Sequence, residues 1–68
     1  MTENEKRLLV ALAWMCEQYM SDGNGGLDHV FMSAGERAVE LLVQYGLVTP
    51  DPRGGTWTEA GNALLESN

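Results

Sequence analysis

Residues 46–61, GLVTPDPRGGTWTEAG, constrain the fold of this chain more than any other stretch. Two β-favouring triplets, Leu47–Thr49 and Thr56–Thr58, flank the segment PDPRGG. Because proline restricts φ and glycine frees it, this segment predicts a sharp turn and the triplets predict the strands of a β-hairpin. Thr58 is placed to cap a final helix directly after the second strand. The apolar residues of that helix are Ala60, Ala63, Leu64 and Leu65.

A helix from Ala34 to Tyr45 is predicted before the hairpin. The segment Ser33-Ala34-Gly35-Glu36 has the spacing of a capping box at its start. Gly46 suits the left-handed residue that ends a helix, and Leu47 should contact Leu42 in a Schellman motif. The apolar side of the helix is formed by Ala38, Leu42 and Tyr45, widened by Val39, Leu41 and Val43.

The first predicted helix runs from residue 3 to residue 20. Thr2 and Glu5 have capping-box spacing at its start, and the glycines of SDGNGG at residues 21–26 end it. We expect the main apolar stripe to be formed by Leu8, Leu12, Met15 and Tyr19. The stripe beside it is formed by Leu9, Ala13, Cys16 and Met20. Such a wide apolar face predicts a helix that is either central in the fold or shared with a partner.

Two interpretations remain open for residues 27–32, LDHVFM: a two-turn helix or a short strand. The loop before them partly matches a calcium-binding EF-hand loop. Its positions 1, 3 and 7 are occupied by Asp22, Asn24 and Asp28. The match ends there, because Leu27 stands where that loop needs glycine and Ser33 where it needs a bidentate acid. We therefore expect a turn without a metal ion.

The order of helix, glycine, hairpin and helix over residues 33–66 resembles the second half of a winged helix-turn-helix domain, especially of the multiple-antibiotic-resistance-regulator type. The matching segments are Gly46-Leu47-Val48, the charged wing Asp51-Pro52-Arg53, and Thr58-Glu59-Ala60-Gly61 before Leu64-Leu65. The resemblance covers about half of the chain. It implies a DNA-binding regulator whose contacts would be Ser33, Arg37 and Arg53.

The chain departs from this family at two places. The short segment 27–32 would have to replace the positioning helix, and the wing is clipped and carries one arginine. With these departures, we predict a single α+β domain over residues 1–68 that is mostly helical and winged-helix-like. Its expected order is helix, short element, helix, β-hairpin wing and helix.

The charge of the chain indicates which class of partner it binds. Ten acidic and four basic residues give a net charge of −6. Nucleic-acid binding draws most of its affinity from Lys and Arg at phosphates, whereas Glu36 and Glu40 lie beside Arg37 on the predicted recognition helix. This balance favours another protein with a basic surface over nucleic acid or a membrane. An alternative role for the acidic residues is to keep the protein soluble.

No residue pattern indicates an enzyme or a cofactor. His29 and Cys16 are the single histidine and cysteine, so no zinc-binding spacing is present, and the glycines fit neither a phosphate-binding loop nor a dinucleotide turn. We expect His29 at the surface or half-buried, and Cys16 as a small hydrophobic residue. The chain starts without a signal segment, and its longest apolar run is too short to span a bilayer, so a cytoplasmic location is expected.

Large aromatic residues are candidate anchors for a partner. We expect Tyr45 and Phe31 in the core. Trp14 lies off the main stripe of helix one, and Trp57 lies in a short strand with one face open to solvent, so both are candidates for a protein interface. The acidic contacts predicted for that interface are Glu36, Glu40, Asp51 and Glu59.

We therefore expect a non-enzymatic protein that acts by binding another protein, with homodimerisation through helix one as an additional interaction. By size and charge it is similar to accessory proteins of bacteriophages and mobile elements, including inhibitors of host defence such as anti-CRISPR proteins. The alternative is a small winged-helix DNA-binding regulator. A third interpretation is a subunit that is stable only within a larger assembly.

Overall fold

The computed structural model describes residues 1–67, with Phe31 described by its backbone alone. Within that range the helices are α1 (Glu3–Met20), α2 (Gly35–Gln44) and α3 (Glu59–Glu66). The strands are β1 (Gly26–Asp28), β2 (Val48–Asp51) and β3 (Gly54–Trp57), and His29–Phe31 form a 3₁₀ turn. The predicted order of elements is confirmed, and this α+β arrangement is consistent with a small winged-helix-like domain.

The three strands form one antiparallel sheet in the order β1-β3-β2. The hairpin pairs β2 with β3 from Val48 opposite Trp57 to Asp51 opposite Gly54. On its other side β3 pairs with β1, which places Asp28 opposite Gly54 as well. Residues 27–32 therefore begin as a strand and continue as a 3₁₀ turn, so the short-strand interpretation describes the start of the segment and the two-turn helix is wrong.

The hairpin is tighter than the sequence predicts, because the ladder leaves only Pro52 and Arg53 in the loop. The two glycines assigned to the turn belong to the central strand instead. Gly54 has φ of 152°, and a Cβ atom there would collide with the backbone carbonyl of Leu27. A Cβ atom on Gly55 would collide with Val48 and the Thr49 backbone. Close approach of three strands thus requires glycine at both positions.

The capping predicted for α1 is confirmed. The Glu5 N–H donates to Thr2 Oγ1 at 3.0 Å, and the Thr2 N–H donates to Glu5 Oε1 at 3.3 Å. The capping box predicted for α2 is wrong. Ala34 is the N-cap of that helix, and the Glu36 N–H donates to the backbone carbonyl of Ser33 at 3.3 Å. A backbone turn therefore replaces the side-chain cap.

The predicted end of α2 is confirmed as a Schellman motif. Gly46 has φ of 74°, a conformation that glycine adopts without a Cβ penalty. Its N–H donates to the carbonyl of Val43 at 2.9 Å, and the N–H of Leu47 donates to the carbonyl of Leu42 at 2.9 Å. This closure turns the chain from α2 directly into β2.

The core uses only one of the two apolar stripes that the sequence places on α1. The buried residues of α1 are Leu9, Ala13, Cys16 and Met20. In contrast, Leu8 is 71% exposed, Met15 53% and Tyr19 60%, while Leu12 packs partly against the core. Met20 lies directly over Gly35, where any side chain on α2 would collide with it. The small residues Ala13 and Gly35 let the elements approach on this side.

The core residues beyond α1 come from every strand and from α2. They are Leu27, Val39, Leu42, Leu47, Val48 and Trp57. Burial raises the pKa of the Cys16 thiol to about 11, because a thiolate would lose its hydration there. Cys16 is thus a core residue, as expected.

Two of the aromatic assignments are corrected. Trp57 is only 6% exposed, and its Nε1–H donates to Glu17 Oε2 at 2.6 Å, so it is a core residue and not an open interface residue. Tyr45 is 42% exposed rather than in the core, and its hydroxyl donates to Glu5 Oε2 at 2.6 Å. The side chain of Phe31 lies outside the described part of the chain. Among residues 1–67, no helix combines the length and apolar character needed to cross a bilayer.

Candidate protein-interaction groove

A groove of about 390 Å³ lies between α2 and the β2–β3 hairpin. We call it the acidic groove. Glu36, Glu40 and Gln44 recur every four residues, so they share one side of α2 and line the groove together. Its remaining lining residues are His29, Val39, Val43, Pro50, Asp51, Pro52 and Gly54.

Three of the predicted acidic contacts meet in this groove. Glu36 and Glu40 reach it from α2, and Asp51 reaches it from the end of β2. Among the described residues that line it, none is lysine or arginine. Apolar side chains of Val39 and Val43 lie between the two acidic sides, and a concave, partly apolar surface concentrates the field of its charges. The arrangement attracts a cationic group and repels phosphate.

The residues implied as DNA contacts do not form a cationic surface of their own. Arg37 lies between Glu36 and Glu40 in the chain and lines a neighbouring groove of about 560 Å³ with both. Arg53 Nε is 3.1 Å from Asp28 Oδ2, so its charge is paired with a buried carboxylate. Ser33 is exposed just before α2, where its carbonyl accepts a hydrogen bond. The structure thus places carboxylates beside both arginines and pairs Arg53 with one of them.

The tip of the hairpin is tied to the rest of the fold on both sides. The Arg53 N–H donates to Asp51 Oδ1 at 2.9 Å, and the Arg53 carbonyl accepts from the His29 N–H at 2.8 Å. Asp28 receives the Arg53 guanidinium through Oδ2 and accepts the Val30 N–H through Oδ1 at 2.9 Å. One buried carboxylate therefore joins the loop of the hairpin to the 3₁₀ turn.

The other predicted interface residues lie elsewhere. Trp14 is 41% exposed and lines a separate groove of about 400 Å³ between α1 and the end of α3. The other residues of that groove are Glu3, Lys6, Arg7, Val10, Ala11 and Ser67. Glu59 is exposed in the first turn of α3 and lines neither groove, and Trp57 is buried. The six predicted residues therefore do not form one surface.

Sequence reasoning missed two polar lining residues of the acidic groove, Gln44 and His29. Gln44 carries a readable signal, because it continues the spacing of four that relates Glu36 to Glu40. His29 carries none, since its position depends on the pairing of β1 with β3. That pairing follows from a three-residue strand, which has too few residues to show a periodicity.

The loop at residues 21–26 uses its acidic side chain to hold its own backbone. Asp22 Oδ1 accepts the N–H groups of Asn24 at 2.7 Å and Gly26 at 3.0 Å. Within the described part of the chain, no group of three or more His, Cys, Asp or Glu side chains is arranged to hold a metal ion. The geometry of this loop is therefore that of a turn closed by its aspartate.

The winged-helix resemblance is supported by the element order, by the β2–β3 hairpin and by the pairing of β1 with β3, the central strand of the sheet. These are properties of the fold, and they do not identify a ligand. No protein-family model, curated protein or solved structure matches this chain.

Proposed function

We propose that this protein acts by binding another protein, and that the acidic groove receives a basic segment of that partner. The single observation that supports this most directly is the convergence of Glu36, Glu40 and Asp51 on one groove whose described lining residues include no lysine or arginine. Opposite charge at a concave site steers the encounter and selects the partner more than it adds affinity.

The proposal gives the two sides of the groove different roles. The carboxylates attract lysine or arginine side chains, while the apolar surface of Val43 and the two prolines contacts their aliphatic stems. A volume of about 390 Å³ is in the range of one or two such side chains rather than a folded domain. We therefore expect the partner to insert a short basic segment.

The resemblance to the multiple-antibiotic-resistance-regulator type belongs to this proposal as well. It would make α2 the recognition helix and the β2–β3 hairpin the wing, so the acidic groove would lie where that family approaches DNA. The carboxylates argue that a protein replaces DNA at this place. Inhibition of a host system by a phage or mobile-element protein would be one use of such binding.

A charge-reversal experiment tests the proposal. The probe is a fluorescein-labelled octalysine peptide, titrated at low salt and followed by fluorescence anisotropy. Glu40→Lys should weaken binding about tenfold or more, since reversing one charge removes an attraction and adds a repulsion, and tenfold corresponds to about 1.4 kcal/mol. Glu59→Lys is the matched control, because it makes the same change in net charge at an exposed position outside the groove.

Equal weakening by Glu40→Lys and Glu59→Lys would contradict the proposal, because it would mean that only net charge matters. A mobility shift on duplex DNA at low salt tests the regulator alternative. Retention that weakens with salt and is lost in an Arg37→Glu variant would favour that alternative. Capture from a host lysate with wild-type and Glu40→Lys protein would then identify the partner.

A further inference from the structure

One side of α1 is exposed, apolar and uncharged over the length of the helix. Leu8, Ala11, Met15 and Tyr19 recur every three or four residues, which places them on the same side. Leu8, Met15 and Tyr19 are all more than half exposed. Within residues 1–67, none of these four positions is Asp, Glu, Lys or Arg, although the chain carries fourteen such residues, and Glu5 lies at the edge of the face. An uncharged surface of this length is unusual for a protein with a net charge of −6.

Helix α2 extends the α1 face along its edge. The hydrogen bond from Tyr45 to Glu5 places the tyrosine beside the first turns of α1. Leu41 lies one turn before Tyr45 on the same side of α2, and the two are 47% and 42% exposed. The five large side chains of this surface are Leu8, Met15, Tyr19, Leu41 and Tyr45. Given its exposed fraction, each presents about 100 Å² to solvent, so together they form an apolar patch of roughly 500 Å².

We propose that a second copy of this chain covers the α1 face. A specific, stable protein–protein interface of standard size buries about 800 Å² on each partner, and homodimer interfaces are about 65% apolar. The patch on α1 and α2 supplies an apolar area of this size. Two copies, each with a net charge of −6, repel each other, so the contact requires a surface without carboxylates. A basic partner is drawn to the acidic groove instead.

The sequence of the α1 face is compatible with antiparallel pairing about a twofold axis. Crossing the two helices between Ala11 and Leu12 places Leu8 opposite Met15 of the second copy, and each such contact occurs twice. Ala11 at the crossing lets the helix backbones approach closely. Antiparallel pairing also brings the positive end of one helix dipole beside the negative end of the other.

The α1 face lies apart from the acidic groove, because none of Leu8, Ala11, Met15 and Tyr19 lines that groove. Leu41, at the edge of the patch, borders Glu36, Glu40 and Gln44 in a neighbouring groove. Pairing through α1 and binding through the acidic groove therefore use different residues, and Met15→Glu alters the first without changing a lining residue of the second.

Sedimentation equilibrium of the full chain tests the pairing. Wild-type protein should have the mass of two chains at about 50 µM. Met15→Glu should weaken the dimer at least a hundredfold, because it places two carboxylates in the apolar contact. Leu8→Glu should do the same, and circular dichroism should show that both variants keep their helices, since both side chains are exposed. Asn62→Glu, which adds the same charge on the exposed side of α3, should remain a dimer.

Cysteine cross-linking tests the antiparallel arrangement. Ala11→Cys should form an intermolecular disulfide under mild oxidation, whereas Gln18→Cys should not. In the antiparallel pair the two copies of residue 18 are about 20 Å apart, given the rise of 1.5 Å per residue. Wild-type protein, with only the buried Cys16, serves as the unlinked control.

Three results would overturn the proposal. Wild-type protein that remains a monomer at about 200 µM would mean that a different protein, or solvent, covers the α1 face. A dimer that resists both Met15→Glu and Leu8→Glu would locate the contact elsewhere. Efficient cross-linking of Gln18→Cys would refute the antiparallel pairing.

Discussion

Replacing Trp57 by alanine should unfold about half of the protein at 25 °C. Trp57 is 6% exposed, and its indole N–H donates to Glu17 at 2.6 Å. Truncating a buried tryptophan costs about 3–5 kcal/mol, through lost burial and the cavity that remains. The core of a domain below about 70 residues rarely supplies more than about 3–5 kcal/mol of net stability. The expected loss therefore equals the stability of the whole fold.

Two further variants separate the parts of this effect. Trp57→Phe keeps most of the buried ring but loses the donor to Glu17, so we expect a loss of about 2 kcal/mol. For a domain of this size, that loss lowers the melting temperature by roughly 8–16 °C. Trp14→Ala is the matched control, because it makes the same truncation at a tryptophan that is 41% exposed, and it should cost about 1 kcal/mol or less.

The assay is thermal and urea denaturation followed by circular dichroism at 222 nm, at one protein concentration for all variants. The expected order of stability is wild type, Trp14→Ala, Trp57→Phe and Trp57→Ala. A Trp57→Ala protein that melts within a few degrees of wild type would refute the reasoning, because it would place Trp57 at the surface and remove its link to α1.

Two other predictions concern the core. Gly61→Ala should destabilise the fold by about 2 kcal/mol or more in urea denaturation, because its Cβ would collide with the backbone carbonyl of Leu47; wild-type stability would show that α3 can shift away. Between about pH 9 and pH 11 the Cys16 thiol ionises in the unfolded state but stays protonated in the folded state. The contribution of Cys16 to the free energy of unfolding is therefore fully present below pH 9 and should fall by about 2–3 kcal/mol as pH rises through 11. Relative to Cys16→Ala, the wild type should lose stability over that range, and parallel curves for the two proteins would contradict the assignment.

The helix ends and the hairpin could be predicted because their signals are local. The capping box at Thr2 and Glu5 gives the start of α1, and Gly46 gives the end of α2 through a motif of a few neighbouring residues. Ser33 shows the limit of such reasoning. Its spacing to Glu36 is right, but the helix starts after Ala34, and the backbone supplies the hydrogen bond.

The buried side of α1 could not be predicted, because both of its stripes are apolar. Periodicity identifies an apolar stripe, but it does not choose between two of them. The choice depends on Met20 meeting Gly35, two residues that are fifteen positions apart. Trp57 was misplaced for a related reason. The sequence suggested that one face of the hairpin is open to solvent. In the structure α1 lies against that face, and Glu17 accepts the indole N–H of Trp57.

The acidic groove was partly predictable. Glu36, Glu40 and Asp51 were expected to contact a partner on the basis of charge, and the turn of chain at Gly46 brings the helix and the hairpin together. The positions of Trp14 and Glu59 depend on how α1 and α3 are oriented around the core. That orientation follows from packing between distant residues, which charge and spacing do not report.

The bonds that hold Arg53 have a consequence for the speed and cost of association. A loop that must become ordered when it meets a partner loses conformational entropy at that moment, and this loss lowers affinity. Here the loop is already fastened by Asp51, by Asp28 and by the His29 N–H in the free protein. The shape of the loop therefore exists before any encounter, and a partner that binds the acidic groove as proposed would have to fit that shape rather than create it.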